Sequence, residues 1–130
     1  MASSHTIAVK RIYEPAEPGD GTRFLVDRLW PRGLSKEQAQ FAAWLKSLSP
    51  TDAMRKEFHE AAGPGDAAWA AFRKAYFAAL DAATGDAAEA LEKIDAARKA
   101  GPVTLLYAAK NEEQNNAVAL REWLERRQSD

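Results

Sequence analysis

The sequence predicts an α/β protein in which a small, mainly parallel central sheet is flanked by helices in three layers, with helices predominating. Two short apolar segments near the start of the chain, residues 7–13 and 23–26, have the composition of strands. Segments with helical periodicity follow them. A nearly continuous apolar run over residues 103–109 then reads as a buried central strand that is covered on both faces.

The first two strands are separated by residues 14–21, which contain two prolines and two glycines and therefore form a loop. Because this loop is short, the two strands are compatible with an antiparallel arrangement. A parallel arrangement would need most of the loop to run back along the sheet. The residues leave the direction of these strands open.

The helices are predicted from apolar periodicity and from end signals. Residues 35–48 are expected to be helical in two pieces. Ser49, Pro50 and Asp52 then supply a cap, a proline at the first helical position and an acid in the first turn of a helix that runs to about residue 60.

Two longer amphipathic helices are predicted over residues 66–80 and 86–100, and a Gly-Pro pair ends the second. Asn111 is expected to cap the last helix, with Gln114 three residues further on. The order of strands and helices predicts a Rossmann-like α/β fold. Residues 1–5 are interpreted as a polar tail and residues 6–127 as a single domain.

The composition excludes several functional classes. The chain has 18 basic and 19 acidic residues and a net charge of −1, so non-specific binding to nucleic acid, which needs a surplus of basic groups, is not expected. There is no cysteine, which excludes disulfides and thiolate chemistry and fits a cytoplasmic location. No apolar run of about 18 residues occurs, so no contact with a membrane is expected.

Metal and triad chemistry are not expected either. His5 and His59 are the only histidines, which is too few for a histidine-based metal site, and neither forms a recognisable Ser-His-Asp pattern. No nucleotide-binding glycine motif is present, and no particular cofactor or oligomeric state is indicated.

The most informative stretch is the charged turn, residues 27–33, which follows the second predicted strand. It places Asp27, Arg28 and Arg32 within six residues, and Trp30 precedes a proline that restricts how the turn bends. A helix start follows directly. A strand, a charged turn and a helix N-terminus in succession are typical of anion-binding sites.

A second polar segment, residues 107–116, follows the buried strand. Ligands of such sheets bind at the carboxyl ends of the strands, so two parallel neighbouring strands would bring Arg28, Arg32 and Lys110 to one pocket. Such a pocket prefers a phosphate or carboxylate, which the planar arginine side chain can grip through two hydrogen bonds.

The remaining candidate residues have supporting roles in this hypothesis. Asp27 orients an arginine or acts as a catalytic acid or base. Trp30 and Arg55 extend the ligand-binding surface, and Tyr107 and Asn115 add hydrogen bonds to the ligand.

Each candidate also has a purely structural interpretation. Asp27 would pair with an arginine to fix the turn, Trp30 would pack in the core, and Arg55 would lie on the surface. Lys110 would only end the strand, and Asn115 would be a polar residue at a helix start.

Several segments of the chain together resemble the YeaO-like branch of the domain of unknown function 488 family. They are KRIY at 10–13, LVDRLWPRGL at 25–34, WLK at 44–46, LSP at 48–50, RK at 55–56 and TLLYAAKN at 104–111. The resemblance covers roughly residues 6–124. It implies a small bacterial or archaeal α/β protein without an established activity, and it favours the parallel direction for the first two strands.

The resemblance also marks differences. Wider relatives carry a motif with a cysteine and acids after the last strand, whereas this chain has no cysteine, so thiol chemistry is not implied. YeaO-like relatives often have histidine where this chain has Asn116, so a general base is not implied there.

The preferred hypothesis is a cytoplasmic protein that binds a small anionic, phosphate- or nucleotide-like ligand at the charged turn and the polar segment. If it is an enzyme, it is expected to be a transferase or hydrolase acting on a nucleotide-like substrate. The alternative is a non-enzymatic module that interacts with protein or nucleic acid, or regulates. A third interpretation is a structural cluster of ion pairs with no ligand.

Overall fold

In the computed structural model, four parallel strands form the central sheet in the order β1-β4-β2-β3. The structure describes residues 6–60 and 66–129, without the side chains of residues 36, 59, 60, 66 and 127–129. The predicted tail, residues 1–5, lies outside the described residues. The strands are β1 (Ile7–Arg11), β2 (Thr22–Leu25), β3 (Ala43–Trp44) and β4 (Val103–Tyr107).

The position of β4 settles the direction of the first two strands. Val103 at the start of β4 pairs with Ile7 of β1 on one side and with Thr22 of β2 on the other, and both pairings are parallel. Thus β1 and β2 are not neighbours, and the short loop between them crosses β4 instead of forming a hairpin. All residues of β4 are buried, which confirms the predicted central strand.

The described part of the chain contains five α-helices. They are α1 (Lys36–Ala39), α2 (Asp52–Glu60), α3 (Asp66–Asp81), α4 (Gly85–Ala100) and α5 (Asn116–Ser129). Helix α5 packs against β1 and β4, α4 packs against β4, and α3 packs against both α2 and α5. The predicted small three-layer α/β fold is confirmed. No helix in the described part of the chain is long and apolar enough to span a bilayer.

Residues 35–48 differ from the prediction of two helical pieces. Only α1 is α-helical there, and it is followed by β3 and by a 3₁₀ turn over Lys46–Leu48. The backbone N–H groups of Ala42 and Leu45 donate to the carbonyls of Arg23 and Leu25 in β2, at 2.7 and 2.8 Å. Hydrogen bonding to the sheet edge therefore overrides the helical spacing of the apolar residues.

The last helix begins later than predicted. Asn111 Oδ1 accepts the backbone N–H groups of Glu113 and Gln114, both at 2.9 Å, which closes a turn. Asn115 Oδ1 accepts the N–H of Val118 at 2.9 Å, so Asn115 is the residue that caps α5. Asn111, the residue predicted to cap the helix, forms a separate turn before it.

A charged network fixes the loop between β1 and β2. Asp20 Oδ2 accepts a hydrogen bond from Nη1 of the buried Arg23 at 2.6 Å and lies 3.2 Å from Nζ of Lys10. Arg23 also donates to the carbonyls of Ala39 and Gln40, at 3.0 and 2.8 Å. The network ties this loop to the segment that leads into β3.

Apolar side chains cover both faces of the sheet. Phe24 of β2 and Leu105 of β4 belong to the larger core cluster, which includes residues of α3, α4 and α5. Leu25 and Leu106, next to them in sequence, belong to a smaller cluster in which Trp30 and Trp44 pack. The smaller cluster anchors the charged turn to the end of the sheet.

Candidate functional site

A cavity of about 810 Å³ opens at the carboxyl ends of β2 and β4. Its volume lies within the range of small-molecule sites. Its walls come from the charged turn, from α2 and α3, and from the polar segment. Seven of the eight predicted site residues line it: Asp27, Arg28, Trp30, Arg32, Arg55, Lys110 and Asn115.

The strand register brings the two sequence segments together. Leu25 at the end of β2 pairs with Leu106, and Arg11 at the end of β1 pairs with Tyr107, so three strands end at one level of the sheet. The carboxylate of Asp27 then accepts the backbone N–H of Ala108 through Oδ2 at 2.8 Å. This hydrogen bond joins the charged turn directly to the polar segment.

Amide groups, not an arginine, hold the carboxylate of Asp27. The side-chain amide of Asn116 donates to Asp27 Oδ1 at 3.1 Å and to the carbonyl of Val26 at 3.0 Å. Burial raises the pKa of Asp27 above its ordinary value, and the hydrogen bonds from Ala108 and Asn116 and the charge of Arg55 oppose that rise only in part. Asp27 therefore ties two strand ends together while its side chain borders the cavity.

The cationic side chains around the cavity fall into two groups. Arg28 forms an ion pair with Asp52, at the start of α2. Among the described residues, by contrast, the side chains of Arg32, Arg55 and Lys110 take part in no hydrogen bond or ion pair. Arg32 and Lys110 are exposed and Arg55 is half-buried. These three cations come from three different segments and border one cavity.

Trp30 belongs to the cavity wall and also to the smaller core cluster. Its ring meets the rings of Phe41 and Trp44 edge to face, with centroids 5.6 and 5.5 Å apart. Its Nε1–H donates to the carbonyl of Leu34 at 2.6 Å. The packing interpretation of Trp30 therefore fits its surroundings, and its contact with a ligand stays a prediction.

The amide of Asn115 is already used by the fold. Asn115 is buried, its Nδ2 donates to the carbonyl of Asn111 at 2.9 Å, and its Oδ1 caps α5. Tyr107 is buried in the larger core cluster beside Asn115 and is not among the described residues that line the cavity. Burial raises the pKa of Tyr107, and the charges of Glu112 and Glu14 add to that rise. Hydrogen bonds from these two residues to a ligand stay a prediction.

Two residues at the end of β1 were missed by the sequence reasoning. Arg11 donates to the carbonyls of Ala109 and Ala108, at 3.0 and 3.2 Å, and its guanidinium lies 5.2 Å from the ring centre of Tyr13. Tyr13, which lines the cavity, donates its hydroxyl to the carbonyl of Arg32 at 3.0 Å. Their position directly at the end of a parallel strand was the signal that could have identified them.

The described residues contain no group of three or more His, Cys, Asp or Glu side chains arranged to hold a metal ion. The side chain of His59, four residues after Arg55 on α2, lies outside the described residues. The chemistry that the described side chains offer at the cavity is therefore that of guanidinium, ammonium, amide and aromatic groups around one carboxyl.

Comparisons with known proteins agree with the sequence motifs. The family model described as the inactive DUF488-N3 subclade matches residues 6–130. The uncharacterised protein YeaO of Escherichia coli (strain K12) is 44% identical over 119 residues, which are 91% of this chain and 96% of that protein. An uncharacterised protein of Mycobacterium tuberculosis (strain ATCC 25618 / H37Rv) is 37% identical over 59 residues, which are 45% of this chain and 50% of that protein.

No solved structure matches the chain. The match of the family model over nearly the whole sequence and the extent of the similarity to YeaO settle the relationship. The chain belongs to the inactive DUF488-N3 subclade and is a YeaO-like member of the domain of unknown function 488 family.

Proposed function

We propose that this protein binds a small anionic, phosphate- or nucleotide-like ligand in the cavity at the carboxyl ends of β2 and β4. The observation that carries the proposal is that the side chains of Arg32, Arg55 and Lys110 border the cavity and form no hydrogen bond or ion pair among the described residues. The charge of Asp27 acts on Arg55 without such a contact. Cations in a concave, partly dehydrated site attract anions more strongly than the same cations on an open surface.

The charge balance of the cavity supports an anion over a cation. Asp27 is the one acidic residue among the described residues that line the cavity, and its carboxylate already accepts hydrogen bonds from two amide groups. Arg28 is neutralised by Asp52, which leaves three cationic side chains for a ligand. Guanidinium groups suit phosphate and carboxylate because their N–H groups match two oxygens at once.

The site favours binding of the ligand without its chemical conversion. Both carboxylate oxygens of Asp27 are engaged in hydrogen bonds that hold the fold together. The description of the matching family as an inactive subclade supports the same reading. We place this binding in the cytoplasm, with which the cysteine-free sequence is compatible.

Thermal unfolding with adenosine 5′-monophosphate at constant ionic strength tests the proposal. The nucleotide is expected to raise the Tm of the wild-type protein, because a ligand that binds only the folded state stabilises it. Arg32→Ala is expected to remove most of that rise, with an affinity loss of about tenfold, and to leave the Tm without ligand nearly unchanged. Arg32 is exposed, so its truncation has little effect on packing.

A matched pair of lysine variants separates the cavity from general charge. Lys110→Ala removes an exposed lysine at the cavity, and Lys99→Ala removes an exposed lysine on α4 that does not line it. Only Lys110→Ala is expected to weaken binding. Equal loss in both variants, or an undiminished Tm rise in Arg32→Ala, would refute the proposed site.

A further inference from the structure

The cavity has an aromatic wall in addition to its cations. Phe58 of α2 and Phe72 of α3 line it, together with Ala68 and Pro50. An inorganic phosphate would contact the cations and leave this wall in water. A cavity of about 810 Å³ is also far larger than such an ion requires.

The aromatic wall is held rigidly by the packing of α2 against α3. The ring centres of Phe58 and Phe72 are 5.1 Å apart with planes tilted by 30°. Trp69 packs on both rings, with centroids 5.8 Å from Phe58 and 5.7 Å from Phe72. A ring bound here would meet a preformed surface and would not have to order it first.

A charge and a ring lie side by side on one helix. Arg55 and Phe58 are three residues apart on α2, which places their Cβ atoms about 5–6 Å apart on the same face. Both line the cavity, and Arg55 acts electrostatically on Asp27 at the end of β2. The anion site and the aromatic wall are therefore adjacent.

Resting on the proposed function, we infer that the ligand is a phosphate ester joined through a short linkage to a flat ring. The phosphate binds among Arg32, Arg55 and Lys110, and the ring packs against Phe58 and Phe72. Nucleoside monophosphates and simple aryl phosphates share this chemistry, and the experiment distinguishes the two sources.

Isothermal titration of the full chain with four compounds tests the inference: inorganic phosphate, phenyl phosphate, adenosine 5′-monophosphate and adenosine. At least one of the two ring-bearing phosphates is expected to bind about tenfold more tightly than inorganic phosphate, because ring packing adds to the charge interaction. Adenosine, which lacks the anion, is expected to bind far more weakly than its monophosphate. If only adenosine 5′-monophosphate binds more tightly than inorganic phosphate, the cavity is a nucleotide site. If phenyl phosphate gains as much affinity as the nucleotide, the cavity is a general aryl phosphate site.

Phe58→Leu keeps apolar volume at the wall and removes the ring. It is expected to lower the affinity for the favoured ring-bearing phosphate by about fivefold and to leave that for inorganic phosphate unchanged. Phe77→Leu is the matched control, because Phe77 is a partly buried aromatic residue of α3 that lines a different cavity. The wild-type affinity ratios test the inference even if Phe58→Leu unfolds.

The two proposals fail in different ways. If inorganic phosphate binds as tightly as both ring-bearing phosphates, the inferred packing of a ligand ring on the aromatic wall is refuted, whereas the anion site is supported. If only adenosine binds, or if none of the four compounds binds, the proposed anion site is refuted, and so is the inference that rests on it.

Discussion

Asn116, the first residue of α5, donates its side-chain amide both to Oδ1 of Asp27 and to the carbonyl of Val26, at 3.1 and 3.0 Å. The other carboxylate oxygen of Asp27 accepts the backbone N–H of Ala108 after β4. One amide and one carboxylate therefore hold the end of β2, the end of β4 and the start of α5 together. The cavity lies directly on this junction.

Asn116→Ala is expected to destabilise the protein by about 1–3 kcal/mol, because it removes the donor to the Val26 carbonyl and to Oδ1 of Asp27. Urea unfolding measures this change. Gln114→Ala is the control, since Gln114 also lines the cavity but its side-chain amide has no partner among the described residues. Equal stability of the two variants would show that the amide junction contributes little.

The carboxyl of Asp27 is expected to titrate above its ordinary pKa of 3.8, because burial disfavours its charged form. Between the unfolded and the folded pKa, the native state then binds more protons than the unfolded state. The contribution of Asp27 to stability is therefore greatest below 3.8 and falls as the pH rises through the folded pKa. Carboxyl carbon chemical shifts followed by NMR against pH would measure the midpoint.

Asp20 provides an internal control in the same titration, because its pKa is shifted in the opposite direction from that of Asp27. Burial acts to raise its pKa, but hydrogen bonds from Glu17, Arg23 and Lys10 outweigh burial and hold the pKa of Asp20 below 3.8. Its stabilising contribution is present above 3.8 and is lost as the pH falls through the folded value. A midpoint for Asp27 at or below that of Asp20 would contradict this account.

Gly21 is expected to tolerate no side chain. Its φ is +66°, and a Cβ atom there would lie 2.1 Å from the carbonyl oxygen of Pro102. Gly33 has a similar φ of +73°, but a Cβ atom there would meet open space. Gly33→Ala should cost on the order of 1 kcal/mol in unfolding free energy from backbone strain, whereas Gly21→Ala should cost on the order of 3 kcal/mol or more because a main-chain clash adds to the strain.

Chemical denaturation of the two alanine variants measures this difference. A similar loss of stability in both would mean that the chain near Pro102 moves aside at little cost, contrary to the close approach of β4 and the loop before β2.

Arg11 is expected to order the polar segment through its two hydrogen bonds to Ala108 and Ala109. Arg11→Lys keeps the charge but loses the planar fork, so it should speed amide hydrogen exchange at residues 108–111 nearly as much as Arg11→Ala does. Exchange measured by mass spectrometry checks this. If Arg11→Lys protected the segment as well as the native residue, charge alone would explain the role of Arg11.

The sequence predicted the parts of the fold in which local pattern and burial agree. The apolar run before Tyr107 forms the buried central strand because both of its faces are covered. The larger core cluster, with residues of α3, α4 and α5, covers one face, and the smaller cluster, with Ala39 of α1, covers the other. The charged turn and the polar segment could be expected to approach each other, because parallel strands end at the same edge of a sheet. Six of the predicted site residues line the cavity for that reason, whereas Arg55 reaches it from α2.

Other features depend on partners that are distant in sequence. Ala43 and Trp44 form a strand only because β2 offers a free edge beside them. Arg11 contacts carbonyls almost a hundred residues further along the chain, a relationship that no local motif encodes. Asn111 and Asn115 each accept a backbone N–H from three residues further on, so the local pattern alone did not distinguish the turn from the start of α5.

The insertion of β4 between β1 and β2 has a consequence for synthesis of the chain. On the ribosome, the first two strands emerge about eighty residues before the strand that pairs with both of them. Until then, the edges of β1 and β2 that pair with β4 in the folded sheet have no strand beside them. Helices α2 to α4 are synthesised during this interval. The sheet therefore cannot be completed before β4 has been made, and neither can the cavity, because residues that follow β4 form part of its wall.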